Sequence, residues 1–139
     1  MNEQIKQKFW QELGEEQVLF EEPMKRHTTF RIGGPAEVFV MPRTIEEIQK
    51  TLEICRREKL SYFILGNGSN LLVSDQGYKG VIIQMDRNME QITVEGTEIR
   101  AAAGALLSSI AVAARRASLA GFEFAGGIPG TLGGAVVMN

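Results

Sequence analysis

Two glycine-rich segments contain the residue types that could do chemistry in this chain. The first is residues 66–70, Gly-Asn-Gly-Ser-Asn, between the apolar runs 62–65 and 71–73. Glycine and asparagine tolerate positive φ, so successive backbone N–H groups can point into one concavity that accepts phosphate oxygens. The apolar runs predict a strand on each side of a tight loop. We therefore expect a phosphate-binding loop whose ligand is a nucleotide pyrophosphate.

Of the better-known glycine motifs, a Walker P-loop is excluded for this loop and a Rossmann site is disfavoured. A Walker loop ends in Gly-Lys-Ser/Thr, whereas Gly68 is followed by Ser69 and Asn70 without a lysine. The dinucleotide fingerprint G-x-G-x-x-G would place a third glycine at Leu71 and begin a helix there, but residues 71–73 are a short apolar run. For this loop taken alone, a hairpin turn that binds nothing stays open as the alternative.

The second glycine-rich segment is residues 121–134, which also contains Pro129. A backbone with several missing Cβ atoms can lie flat against a large planar ligand. A long surface loop is the alternative, but apolar side chains that would be costly to leave in water are interleaved with the glycines. They are Phe122, Phe124, Ile128 and Leu132. We favour a ligand contact for this segment.

The composition excludes several other kinds of site. The 139-residue chain is of single-domain size, with 44% hydrophobic residues and a formal net charge of −2. Its basic residues are scattered, which disfavours a nucleic-acid partner. One histidine and one cysteine cannot form a usual zinc site or an internal disulfide, so we expect no metal. Because the N-terminus has no signal-peptide core and no apolar stretch is of membrane-spanning length, we expect a soluble, cytoplasmic protein without a membrane partner.

Hydrophobic spacing predicts the elements that position the first loop. Apolar residues four apart predict a short amphipathic helix over residues 2–13. A strand is predicted over 37–41, after which Thr44 and Glu47 form a capping box that begins a second helix. Together with the strand at 62–65, this makes a βαβ unit whose second strand leads into the phosphate loop. The expected buried face of the second helix is Ile45, Ile48, Leu52 and Cys55.

A second group of elements is expected to position the second segment. A continuous apolar strand at 81–85 precedes a hairpin over 91–103 and an alanine-rich helix over 105–118, which ends at Gly121. The elements together predict an α+β fold of two small lobes, each a sheet with one helix. The predicted division is 1–23 for the N-terminal helix and lead-in, 24–88 for the first lobe and 89–139 for the second.

Three single side chains are predicted to have structural roles. Cys55 is interpreted as a small hydrophobe on a buried helix face, because no second histidine or cysteine is available to activate its thiol. His27, which precedes two threonines, is expected to be exposed or hydrogen-bonded locally. Trp10 is expected to pack in the core or against a neighbouring domain.

Three motifs in order make the sequence resemble the UDP-N-acetylenolpyruvoylglucosamine reductase (MurB) family. They are residues 27–37 (HTTFRIGGPAE), 65–73 (LGNGSNLLV) and 121–135 (GFEFAGGIPGTLGGA), within a resemblance that covers 24–139. The resemblance implies an FAD-binding domain of the vanillyl-alcohol-oxidase (PCMH) type, with FAD stretched between two α+β lobes. It also implies NADPH as reductant and hydride transfer to the enolpyruvyl double bond of UDP-N-acetylglucosamine enolpyruvate, which gives UDP-N-acetylmuramate for peptidoglycan synthesis.

The resemblance assigns backbone roles to both glycine segments. It gives the FAD pyrophosphate to residues 66–71 and the flavin with its linker to residues 126–134, with Gly104 and Ala105 lining the cofactor. A nest of N–H groups would neutralise the pyrophosphate without a lysine. FAD is expected to be non-covalent, because neither His27 nor Cys55 is well placed to link it. The implied cofactor-binding residues are Leu65, Gly66, Asn67, Gly68, Ser69, Asn70, Leu71, Gly104, Ala105, Gly127, Ile128, Pro129, Gly130, Thr131, Gly133 and Gly134.

The chain departs from the family pattern in two places. It has Val137 where the family often has an aromatic residue, and it stops at Asn139, inside a motif that in the family continues with small residues and a tyrosine. Residues 135–139 are apolar and strand-like, as expected of a chain cut within an element. In the family the proton-donating serine, the catalytic glutamate and an active-site arginine lie in later segments, as does most of the substrate domain. We therefore expect a truncated reductase with no catalytic residue in this chain and no activity by itself.

Two other function classes stay open at this point. One is a stand-alone flavin- or nucleotide-binding module without catalysis. The other is a related flavoprotein oxidase of the same fold with covalent flavin, which would need a histidine or cysteine beside the flavin.

Overall fold

The computed structural model describes residues 1–85 and 87–138 of the chain. The helices are α1 (Glu3–Leu13), α2 (Ile45–Arg57), α3 (Leu107–Arg116) and α4 (Leu132–Met138). The strands are β1 (Val18–Pro23), β2 (Pro35–Val40), β3 (Tyr62–Leu65), β4 (Tyr78–Gln84), β5 (Ile92–Glu95) and β6 (Glu98–Ala101). Strands β1 to β4 form one sheet and β5 pairs with β6 in another, so the predicted α+β composition is confirmed.

The first sheet has the strand order β1-β2-β4-β3. Strand β1 is antiparallel to β2, whereas β2, β4 and β3 are parallel to one another. The predicted βαβ unit therefore exists as β2, α2 and β3, but β4 lies between its two strands. Because β1 pairs with β2, the predicted lead-in contributes an edge strand to this sheet. The division of the chain into three parts stays a prediction.

Both faces of this sheet are covered, which explains the continuous apolar runs in its strands. On one face Val38, Val40 and Val81 pack with Phe9 of α1 and Cys55 of α2. On the other face Phe39 and Ile82 pack with Met24, Ala36 and Leu65. From Val38 to Val40 the side chains alternate between the two cores, as the pleat requires. Ala36 lies in the same core as Phe39 because the register of β2 shifts between Ala36 and Val38.

The N-terminal helix follows its predicted pattern. Phe9 and Leu13 are buried, and the Gly14 N–H donates to the Trp10 carbonyl at 2.8 Å where the helix ends. The Trp10 and Phe20 rings meet edge to face with centroids 5.1 Å apart. Trp10 is half-buried and packs against the core, in agreement with the predicted packing role.

The buried face of α2 differs from the prediction. Ile45 is 62% exposed, and Thr51, Ile54 and Cys55 are the buried residues. A threonine can be buried here because its hydroxyl donates to the Glu47 carbonyl one turn earlier, at 2.7 Å.

The predicted capping box of α2 is half formed. Thr44 Oγ1 accepts from the Glu47 N–H at 3.2 Å, whereas the Glu47 carboxylate accepts from the Arg43 N–H at 2.6 Å.

The second lobe contains the predicted hairpin, β5 and β6, and helix α3. Helix α3 is shorter than the predicted 105–118, because Leu106 pairs with Thr131 in an isolated β-bridge and the last residue of the helix is Arg116.

Two strand predictions are wrong. Residues 71–73 are not a strand. Leu71 and Val73 instead pack against the core that contains Met24 and Phe39, here called the Met24 cluster. Residues 135–138 belong to α4, whose first turn is capped by Thr131, so their apolar character did not distinguish helix from strand. Asn139 lies outside the described residues.

Candidate functional site

The predicted phosphate loop, residues 66–70, begins directly after β3, at the carboxyl end of a parallel strand. This is the usual position of ligand sites in such sheets. Gly68 has a φ of +72°, as the nest prediction requires. Asn67 folds its side chain back on the loop, where Oδ1 accepts from the Ser69 N–H at 3.3 Å. The loop is therefore a compact turn stabilised by its own asparagine.

Gly68 has a second reason to be glycine. The residue is buried, and an added Cβ would overlap the carbonyl oxygen of His27. Next to this contact, the Thr29 N–H donates to the Gly68 carbonyl at 3.0 Å. The close approach at Gly68 is thus between two stretches of protein backbone. Residues 27–29 support the loop, a role that the sequence pattern did not indicate.

The second glycine segment is built from three parts. Residues Glu123–Gly127 form a 3-10 turn, an extended stretch follows, and α4 begins at Leu132. At Gly130 the backbone has a φ of +124°, which favours glycine. Thr131 is buried, and its hydroxyl accepts from the Gly134 N–H at 3.3 Å at the start of α4.

The two glycine segments meet although they are far apart in sequence. A Cβ added at Gly66 would lie 2.5 Å from Thr131 Oγ1, and one added at Gly130 would lie 3.3 Å from Ser69 Oγ. Each segment therefore has a glycine where it faces a hydroxyl side chain of the other. The sequence predicted both segments but could not show that they are in contact.

Gly104 and Ala105 lie beneath the second segment, and both are buried. The Ala105 carbonyl accepts from the Leu132 N–H at 2.8 Å, and Gly133 donates to the Ala103 carbonyl at the same distance. A Cβ at Gly133 would lie 3.0 Å from the Ala103 Cβ. These residues therefore support the second segment and hold it against the lobe that contains α3.

The most open part of the second segment is around Gly127. A Cβ added at Gly127 would have no atom within 4 Å, and one at Gly126 would meet only the Ala111 Cβ, at 3.7 Å. Nearby, Phe124 is 72% exposed and Ile128 46% exposed. The face around Gly127 is therefore not covered by protein atoms, and it carries exposed apolar side chains.

The remaining predicted site residues lie in or beside the two segments. Leu65 is buried at the end of β3, and Leu71 is half-buried where the loop rejoins the core. Asn70 and Pro129 are exposed, and Gly134 lies in the first turn of α4 next to Thr131.

Two grooves lie along α3, and the second of them includes residues of the second glycine segment, among them Gly126. One of about 420 Å³ lies between α3 and β5 and is lined by Val94, Ser109 and Arg116, among others. The other, of about 530 Å³, lies between α3 and the chain that follows it, including Leu119 and Phe122. Their linings are mainly apolar, and neither includes the phosphate loop.

The two potentially reactive side chains are engaged elsewhere. His27 Nε2 lies 2.9 Å from Glu22 Oε1, and its ring stacks on Phe39 with centroids 4.1 Å apart. Its predicted local hydrogen bond is confirmed. Cys55 is buried between α2 and the sheet, and burial raises the pKa of its thiol to about 11. Its prediction as a structural, unreactive thiol is consistent with this environment.

None of the described helices is long and apolar enough to cross a membrane.

A family model described as "FAD binding domain" matches residues 36–139. The chain belongs to this FAD-binding domain family. FAD is therefore the cofactor of this family, and the two glycine segments are the candidate residues that would hold it. Their backbone-rich, partly apolar surfaces fit a ligand that combines a pyrophosphate with a planar ring system.

Curated relatives agree with the three-motif resemblance. The UDP-N-acetylenolpyruvoylglucosamine reductase of Alkaliphilus metalliredigens (strain QYMF) is 52% identical over 137 residues, which are 99% of this chain and 45% of that protein. The enzyme of the same name from Caldanaerobacter subterraneus subsp. tengcongensis is 53% identical over 127 residues, 91% of this chain and 42% of that protein. The chain thus spans less than half the length of these relatives. Its resemblance to the reductase family is confirmed.

Solved structures confirm the fold class. The UDP-N-acetylenolpyruvylglucosamine reductase (MurB) of Thermus caldophilus superposes with a TM-score of 0.68 at 35% identity, covering 86% of this chain and 40% of that one. p-Cresol methylhydroxylase superposes with a TM-score of 0.64 at 19% identity, covering 84% of this chain and 25% of that one. The second likeness concerns the fold alone and agrees with the PCMH-type architecture expected from the motifs.

Proposed function

We propose that the chain is the FAD-binding portion of an NADPH-dependent reductase that converts UDP-N-acetylglucosamine enolpyruvate to UDP-N-acetylmuramate. The observation that carries this proposal is the contact between the two glycine segments, because Gly66 lies beside Thr131 and Gly130 beside Ser69, which lets one extended ligand reach both segments. The relatives named for this reaction supply the substrate. A nucleotide-sugar substrate and a buried, unpaired thiol at Cys55 both suit a cytoplasmic enzyme.

Within this proposal the two segments have different tasks. Residues 66–71 bind the FAD pyrophosphate with backbone N–H groups, while residues 127–131 and the start of α4 hold the flavin and its linker. Thr131 and Ser69 keep the two segments together by facing Gly66 and Gly130. When bound, FAD supplies the hydride-transfer chemistry of the reductase. The residues of this chain bind and orient the cofactor.

A covalent flavoprotein oxidase is disfavoured by the surroundings of the two candidate linking residues. The His27 ring is held by Glu22 and Phe39, and the Cys55 thiol is buried on the α2 side of the first sheet. A binding module without catalysis would use the same cofactor-binding residues of this chain, so the activity of the complete protein is what distinguishes it from the reductase.

We expect the chain to bind FAD saturably and non-covalently. A titration of ligand-free chain with FAD, followed by flavin fluorescence, should reach a plateau at one FAD per chain. Acid or heat denaturation should then release all the flavin into the supernatant. Flavin that stays with the denatured protein would contradict non-covalent binding, and a titration without saturation would contradict the proposed site.

We also expect the FAD-saturated chain to show no substrate-dependent NADPH consumption. Hydride delivery to an enolpyruvyl group leaves a carbanion-like centre, which needs a positioned proton donor. We expect none of the nearby serines to be this proton donor. Ser69 faces Gly130 in the contact between the two segments, and Ser108 and Ser109 line the grooves beside α3. The assay is anaerobic NADPH oxidation with and without UDP-N-acetylglucosamine enolpyruvate. Substrate-dependent turnover of about 1 s⁻¹ or faster would show that the chemistry is complete within this chain.

A further inference from the structure

The phosphate loop packs against residues 27–29, which lie outside both glycine segments. The Thr29 N–H donates to the Gly68 carbonyl, and the His27 carbonyl oxygen occupies the place of a Gly68 Cβ. The Thr28 Cα is also close, 3.1 Å from that Cβ position. The backbone of residues 27–29 therefore sets where the middle of the loop can lie.

The position of residues 27–29 is in turn set by the His27 side chain. Its Nε2 donates to the Glu22 carboxylate of β1 at 2.9 Å. Its ring stacks on Phe39 of β2, which is fully buried, at 4.1 Å and an interplanar angle of 29°. Both partners belong to strands of the four-stranded sheet. The ring thus ties an irregular segment to two neighbouring strands.

Further contacts fix the same segment. The Arg26 guanidinium lies 3.5 Å from Glu22 Oε1, the same oxygen that accepts the hydrogen bond from His27. The buried Thr28 donates its hydroxyl to the Ile32 carbonyl at 3.1 Å, which closes the turn that follows. The His27 contacts to Glu22 and Phe39 are therefore part of a connected set of contacts.

We propose that His27 is a positioning residue for cofactor binding: its ring, held by Glu22 and Phe39, presents the backbone of residues 27–29 to Gly68 and so orders the phosphate loop. This inference rests on the proposed function, since it assumes that residues 66–71 bind the FAD pyrophosphate. A loop that occupies its binding geometry only part of the time lowers the apparent affinity by that fraction.

The test compares His27→Ala with His27→Phe, which keeps an aromatic ring on Phe39 but loses the bond to Glu22. We expect the Kd for FAD to rise about tenfold in His27→Ala, as for a loop that is competent in about one molecule in ten. His27→Phe should lie between His27→Ala and the unsubstituted chain. If His27→Ala does not fold, the His27→Phe comparison is still available.

The matched control is Trp10→Ala. It also removes an aromatic contact, with Phe20, but in the cluster of α1 and α2. Its melting temperature should fall while its Kd for FAD stays unchanged. An equal rise in Kd for Trp10→Ala and His27→Ala would overturn the inference, since it would show that general destabilisation is the cause.

A second readout does not depend on the cofactor. Amide hydrogen exchange in the ligand-free chain should be faster at Thr29 in His27→Ala, because that N–H bonds to Gly68, while exchange at Val38 in the core of β2 stays slow. Unchanged Thr29 exchange and an unchanged Kd would overturn the role of His27. If the unsubstituted chain fails to bind FAD but Thr29 exchange responds to His27→Ala, the proposed function fails and the ordering role of His27 stands.

Discussion

The Gly68→Ala variant is expected to lose much of the stability of the fold, because the new Cβ would overlap the His27 carbonyl oxygen in a buried position. The positive φ of this residue, +72°, alone costs about 1 kcal/mol for alanine. Displacing buried backbone adds to this, so we expect a total of about 3 kcal/mol. For a chain of this size that corresponds to a fall of about 10 °C in the melting temperature, measured by circular dichroism.

Gly96→Ala is the matched control for this substitution. Gly96 also has a positive φ, +60°, in the turn between β5 and β6, but a Cβ there would have no atom within 4 Å. Only the backbone strain applies, and the melting temperature should fall by about 4 °C or less. Equal losses in the two variants would show that contact with His27 is not what requires glycine at position 68.

The Gly127→Val variant is expected to show the opposite pattern, with unchanged stability and weak FAD binding. A side chain at Gly127 would extend into space that is free of protein atoms, so the melting temperature should stay within about 2 °C of the unsubstituted chain. If the flavin lies on this surface, the added side chain prevents its close approach. We expect the Kd for FAD to rise at least about tenfold, or about 1.4 kcal/mol, in a fluorescence titration.

Ala120→Val controls for added bulk on the same connection. Ala120 is exposed and precedes the second glycine segment, outside the predicted site. Its Kd for FAD should equal that of the unsubstituted chain. If Gly127→Val and Ala120→Val bind FAD equally well, the flavin does not lie against Gly127.

The difference between Gly68 and Gly127 explains what the sequence could predict of the site. Both glycines belong to dense glycine runs, and the motif indicated that both runs are special. A glycine that is needed for contact with distant backbone, as at Gly68, has the same sequence pattern as one that leaves room for a ligand, as at Gly127. Only the tertiary contacts separate the two cases.

The fold itself followed closely from hydrophobic spacing where elements are long or two-sided. Helix α1, the β5–β6 hairpin and strands β2, β3 and β4 lie where their patterns predicted them, within a few residues, whereas β1 falls in the segment predicted only as a lead-in. The insertion of β4 between β2 and β3 was not predictable, since strand order depends on long-range pairing.

The short apolar segments were the failures. Residues 71–73 and 135–138 are as apolar as strands. Residues 71–73 pack on the Met24 cluster without pairing with another strand. Residues 135–138 belong to a helix whose first turn is capped by Thr131. In α2 the prediction missed Thr51, because a hydroxyl that bonds within its own helix can be buried like a hydrophobe.

The most direct test of the central claim, that FAD binds across the two glycine segments, is an amide chemical-shift map of the isotopically labelled chain titrated with FAD. We expect the largest shifts in residues 66–71 and 127–131, with both segments reaching saturation at the same FAD concentration. Shifts should be small at Val94, Ser109 and Arg116, which line the groove between α3 and β5. If the largest shifts occurred in that groove and residues 66–71 were unaffected, FAD would not bind across the two glycine segments.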